Sequence, residues 1–133
     1  MSCESSDENR KLILSNNKLD INNAVEFVKD DSAGAISSFI GTTRNNFDEK
    51  IVTYLEYEAY PDMALSELNS IVNEIKTKWD IKKIYIEHKL GVCPVGEKSV
   101  VIFVSSEHRN EAIKSVEFAI ENLKSRVPIW KKV

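Results

Sequence analysis

Cysteine is scarce in this chain. Cys3 and Cys93 are the only two in 133 residues, with no CxxC and no Cys/His ligand spacing, which excludes a disulfide framework and a structural zinc site. A basic excess is missing as well: 18 Lys and Arg stand against 21 Asp and Glu, for a formal net charge of -3. A general coat for nucleic acid is thereby excluded, and any anion site has to be a local cluster. No apolar run is long enough to cross a bilayer, since the longest, such as Ser99-Val-Val-Ile-Phe-Val104, falls far short of the roughly 20 residues required. The polar, acidic opening is unlike a signal peptide, so a cytosolic protein is expected. Internal repeats and low-complexity tracts are also lacking. What remains is 42% hydrophobic residues in a length that suits one domain with a real core.

Residues 1–17 are rich in Ser, Asn, Asp and Glu and their composition predicts a mobile tail without chemistry, with "KLIL" as an edge-strand candidate and the domain proper spanning 18–133. "LDINNAVEFVKDDSAG" predicts a short helix with Asp20 as N-cap, Ala24, Val25 and Val28 inward and Gly34 closing it. "AISSFIG" predicts a strand, and "IVTYLEYEAY" a long one. Pro61 opens a helix whose Leu68, Ile71, Val72, Ile75 and Trp79 form an apolar stripe. "KKIYIEHKLG" and "KSVVIFVSS" predict a hairpin around Pro94 and Gly96. A last helix carries Ile113, Val116, Ile120, Leu123 and Val127 inward until Pro128 stops it. This order predicts a mixed α/β sandwich with helices on one side of a largely antiparallel sheet.

The chain closes with "ENLKSRVPIWKKV". Lys124 lies about 60° from the middle of the last helix's apolar stripe, so its stem is expected to be half buried. Ile129 and Trp130 are placed to anchor the extended segment that carries Lys131. Two lysines converging on one pocket are candidates for base, nucleophile or hydrogen-bond donor; two solvated lysines at a helix C-terminus are the plainer alternative. His108 and Arg109 sit at the start of the last helix, where free N–H groups favour phosphate or carboxylate, or where they simply form a surface pair. Arg44, His88 and Lys89 end predicted strands, positions that face a site or water alike. Glu56 and Glu58 share a strand face and are expected to pair with neighbouring cations rather than work as an acid/base couple. Cys93 is expected to be an ordinary reduced thiol.

Taken together, "FIGTTRN", "LEYEAYPDMA", "EHKLG", "VGEKSVVIFVSSEHRNEA" and "LKSRVPIWKK" resemble the large, catalytic subunits of molybdopterin synthases, in order and with similar gaps over roughly 32–132. The resemblance implies an α/β-hammerhead fold and a heterotetramer, in which a central self-dimer is flanked by two small ubiquitin-like subunits. It implies that the C-terminal Gly-Gly thiocarboxylate of the small subunit delivers sulfur to cyclic pyranopterin monophosphate, building the dithiolene of molybdopterin. By motif, Lys124 and Lys131 match the catalytic lysines, while Arg44, His108 and Arg109 match positions that bind the anionic pterin or the incoming tail. Lys89 stands where the family usually has arginine, keeping the charge but losing the bidentate fork. Neither a metal nor a cofactor is implied at the site. Family members normally continue past the segment matched by "PIWKK", so contacts carried by such a tail are expected to be absent from this sequence. A silent module that docks a ubiquitin-like tail in a basic groove is the alternative from another class. A ferredoxin-like binder of single-stranded RNA is disfavoured by the charge and by the lack of RNP-type aromatics.

Overall fold

A computed structural model describes residues 2–132; Met1 and Val133, the outer ends of the expected tail and domain, lie outside the described residues. Five strands form the main sheet in the order β1 (Ser2–Ser6), β2 (Arg10–Ser15), β7 (Ile81–Lys89), β9 (Lys98–Ser106), β3 (Ala35–Thr42). All its pairings are antiparallel except β2 on β7. Helices α1 (Ile21–Val28), α2 (Pro61–Lys78) and α3 (Arg109–Arg126) pack on this sheet, and a three-stranded sheet is built from β10 (Ile129–Lys132), β6 (Tyr54–Ala59) and β8 (Gly91–Pro94). A small hairpin joins β4 (Asn46–Phe47) to β5 (Lys50–Ile51).

Strand alternation explains the layers. Ile84 and Ile86 of β7 and Val100, Ile102 and Val104 of β9 point to the face covered by α2 and α3, where they join Leu68, Ile71, Ile75, Val116 and Leu123 in one core. Tyr85, Val101 and Phe103, on the other face, pack with Ala24 and Val28 of α1 in a second core. Helices therefore cover both faces, not the one expected: the central strands are apolar at odd and even positions alike, and such strands have to be buried twice. Ile113, expected inward, is 50% exposed, and Ala112, Ser115 and Ala119 take the buried face instead. Small residues there let α3 sit close to the sheet.

The expectation of a mobile segment over 1–17 is corrected. Leu12 and Leu14 have no exposed surface, and burying each contributes roughly 1.5–3 kcal/mol. That burial, added to the pairing of the strand with β1 and β7, orders the segment. Its polar neighbours are turn and anchor residues: Asp7 Oδ1 accepts from the N–H groups of Asn9 and Arg10 at 2.7 and 2.9 Å, and Arg10 donates to the side chains of Asn69 and Asn73 on α2.

Asp20 caps α1 as expected, accepting from the Asn22 N–H at 2.8 Å, but the helix ends at Lys29 and not at Gly34. The long strand expected over 51–60 is broken. Asp48 and Glu49 both have positive φ, 49° and 67°, which turns 46–51 into a tight hairpin before β6 begins. The expected hairpin of β7 and β9 is present, yet its connection makes a strand of its own, because Gly91, at φ 77°, lets the chain swing into β8 and pair with β6.

Candidate active site

Pro128 ends α3 and sets up everything that follows. It has no N–H to continue the helix, so the chain turns back as β10 and pairs with β6, placing Trp130 opposite Glu58, Lys131 opposite Tyr57 and Lys132 opposite Glu56. Lys131 and Tyr57 consequently share one face of the small sheet, and Glu56 and Glu58 the other. The carboxylate pair is thus turned away from Lys131. Trp130 packs on Tyr60 with ring centroids 5.2 Å apart, which pins the strand beside the start of α2.

A two-chambered cleft opens where this sheet meets α3 and the main sheet. One chamber, of about 500 Å³, contains Arg44, Asn46, Lys124 and Lys131 in its lining. The other, of about 350 Å³, is walled by Ile120, Leu123, Ile129 and Trp130 and reaches His88. Tyr57, Ser99, Val100, Lys124 and Lys131 border both. The two lysines come from different elements, one from the last turn of α3 and one from β10, and meet at the junction. Lys124 is exposed rather than half buried, which leaves its ammonium free to reach a guest.

The remaining expected residues are dispersed. Arg44 lies in the connection after β3 and faces the larger chamber. His108 and Arg109 stand at the opposite end of α3, about 22 Å from Lys124 at the helical rise of 1.5 Å per residue. Both are exposed, and His108 gives no side-chain cap but lies 3.4 Å from the Glu107 carboxylate. Lys89 is buried on the face of β7 opposite His88 and borders neither chamber. Cys93 is buried too, accepting from Thr43 Oγ1 at 3.3 Å, and also borders neither.

Tyr57 and Ser99 carry no signal in the sequence, and His88, one of the strand-end positions that face a site or water alike, faces the cleft. His88 follows Ile84 and Ile86 at alternate positions, the one signal that it faces α2 and α3. Its ring meets Tyr57 edge-on at 4.9 Å, and its Nδ1 lies 2.8 Å from the Lys89 carbonyl oxygen. A carbonyl only accepts, so Nδ1 carries the proton and donates, and Nε2 keeps its lone pair. Burial holds the imidazole neutral by pushing its pKa down to about 4, against a smaller opposing effect of that hydrogen bond. Tyr57 is shifted upward, chiefly by burial, with its hydrogen bond to Ser99 opposing. A cleft with two lysines, an arginine and a neutral histidine is equipped to hold anions and to move protons beside them.

The MoaE protein family model matches residues 14–126. The chain belongs to the MoaE protein family. Among curated relatives it is 52% identical to the molybdopterin synthase catalytic subunit 1 of Aedes aegypti, over 91% of this chain and 79% of that one. It is 53% identical to the molybdopterin synthase catalytic subunit of Drosophila grimshawi over 90% of this chain, while spanning 33% of that longer relative. Its fold matches the molybdopterin synthase crystal structure from Staphylococcus aureus with a TM-score of 0.85 and 37% identity, over 90% of this chain and 87% of that one. The Staphylococcus aureus structure shares the α+β architecture described above.

Proposed function

We propose that this chain is the catalytic subunit of a molybdopterin synthase. It moves sulfur from the thiocarboxylated C-terminus of a small ubiquitin-like carrier subunit onto cyclic pyranopterin monophosphate. The observation that carries this reading is the meeting of Lys124 and Lys131 at the junction of two chambers, one of which also holds Arg44. Both reactants are anionic, so a chain of net charge -3 needs a local cationic cluster to bring them together. In each transfer the thiocarboxylate sulfur forms a bond to a substrate carbon as a carbon–oxygen bond of that carbon breaks and its oxygen leaves as water or on the phosphate. Water then cleaves the acyl carbon–sulfur bond, leaving the sulfur on the substrate and the carrier as a carboxylate. The lysines stabilise the charge that develops and relay the protons.

The length of α3 supports a self-dimer within a heterotetramer. His108 and Arg109 lie about 22 Å along α3 from Lys124 of the same chain, too far to touch one small substrate. If all four serve one pterin, the arginine and histidine come from a second copy. Lys89, buried on the other sheet face, is left a structural part in this reading. The protein is taken to be cytosolic, which cell fractionation checks.

Reconstitution tests the proposal: purified chain, thiocarboxylated carrier and the cyclic pterin are combined, and molybdopterin is scored by its fluorescent oxidation product. Product is the expected result. Carrier binding without product would instead leave a module that docks the tail.

A further inference from the structure

We propose that His88 is the hydrogen-bond acceptor for a backbone N–H of the carrier's C-terminal tail, and so a specificity-determining residue of the smaller chamber. This rests on the reading of the cleft given under Proposed function, and goes beyond it by assigning a group that neither lysine can replace.

The chamber's chemistry is lopsided. Lys124 and Lys131 carry only donors, and the hydroxyls of Tyr57 and Ser99 are engaged with one another. Its walls, Ile120, Leu123, Ile129 and Trp130, are apolar or aromatic. His88 is 6% exposed, and its orientation is fixed twice, by the Lys89 carbonyl and by the Tyr57 ring. The first of these contacts consumes the ring's only proton. Nε2 is left as an acceptor with no partner among the described residues, on a side chain that borders the chamber. Among the described side chains Arg10 Nε and Ser115 Oγ are the atoms buried without a partner, so Nε2 opens on the chamber, and a guest that displaces water from it has to supply a donor in its place.

A peptide C-terminus presents the complement: an anionic end for the lysines and, on the same terminal residue, an amide N–H that must find an acceptor once it leaves water. Glycines offer no side chain to clash with apolar walls. The pterin also carries N–H groups, but its phosphate finds an additional cation, Arg44, only in the larger chamber. The tail is therefore the occupant favoured for the chamber that reaches His88.

The test uses calorimetric titration of the whole chain with the carrier in its carboxylate form, so the readout does not depend on turnover. A carrier whose terminal glycine is N-methylated, and thus lacks the N–H, is expected to bind the unaltered chain about tenfold more weakly. His88→Phe should weaken the ordinary carrier by a similar factor and abolish the difference between the two carriers. His88→Gln, which restores an acceptor oxygen, should recover most of the loss. Equal affinity of both carriers for the unaltered chain overturns the inference without any variant having to fold. A His88→Phe effect confined to pterin affinity overturns it too, by giving the acceptor to the other reactant. Failure of the catalytic reading is separate, since it would appear as loss of turnover with the tail contact intact.

Discussion

Lys131 of β10 stands directly opposite Tyr57 of β6 in antiparallel register, and the Tyr57 ring in turn meets His88 edge-on. One tyrosine thereby links a lysine on the last strand to a histidine on the main sheet. Tyr57→Phe keeps the ring and loses only the hydrogen bond to Ser99, so a stability loss of about 1 kcal/mol is expected, with turnover within a few fold. Tyr57→Ala removes the ring shared by both chambers and should lower kcat more than tenfold. Equal kinetics for the two variants would show that the ring does not position Lys131.

The strand at 10–15 is part of the core, so Leu12→Ala should cost about 2–5 kcal/mol, as for other fully buried leucines. Denaturant melts read this directly. A loss below 0.5 kcal/mol would mean that the segment contributes as the loose tail its composition suggests.

His88 makes stability depend on pH. Its folded-state pKa, about 4, lies below the ordinary 6.5 because the buried ring resists charge. The unfolded chain takes up a proton near 6.5 and the folded chain does not, so this stability is complete above pH 6.5 and is lost as pH falls toward 4. At 1.36 kcal/mol per pKa unit the loss is about 3 kcal/mol over that window. Glu87 works in the opposite sense: burial raises its pKa, so what it contributes is lost as pH rises. Comparing the native chain with His88→Phe isolates the histidine. The native Tm should fall more steeply between pH 7 and 5, and parallel curves would contradict the assignment.

The two-copy arrangement predicts complementation. Arg109→Ala and Lys131→Ala each damage every site in their own dimers, but a mixed dimer has one site with both residues intact. Random reassortment makes half the dimers mixed, so about a quarter of native activity should return on mixing. No gain over the separate variants, with exchange of subunits verified, would place His108 and Arg109 outside the pterin site.

Much of this was legible in the sequence, and the gaps have physical causes. The periodicity of 61–78 and the stop at Pro128 placed α2, α3 and the turn that delivers Lys131. The second helical layer was hidden, because strands such as "VVIFV" carry no alternation to say which face is covered. Residues 2–15 were misread because Asp7 and Arg10, polar in composition, act as turn cap and anchor. Arg44, Lys124 and Lys131 were brought together by long-range pairing that their motifs marked. The family motif points to Lys89 and the strand-end position to His88 and Lys89 alike, but β7 alternation separates them: His88 faces the cleft, Lys89 the opposite side of the sheet.

The central claim is that Lys131, held at the junction of the two chambers, is required for sulfur transfer and not for docking the carrier. Lys131→Ala should be measured in the reconstituted reaction alongside carrier binding. A fall in molybdopterin formation of at least 10²-fold, with carrier affinity within a few fold of native, is the result predicted. Undiminished product formation by the folded variant would contradict it.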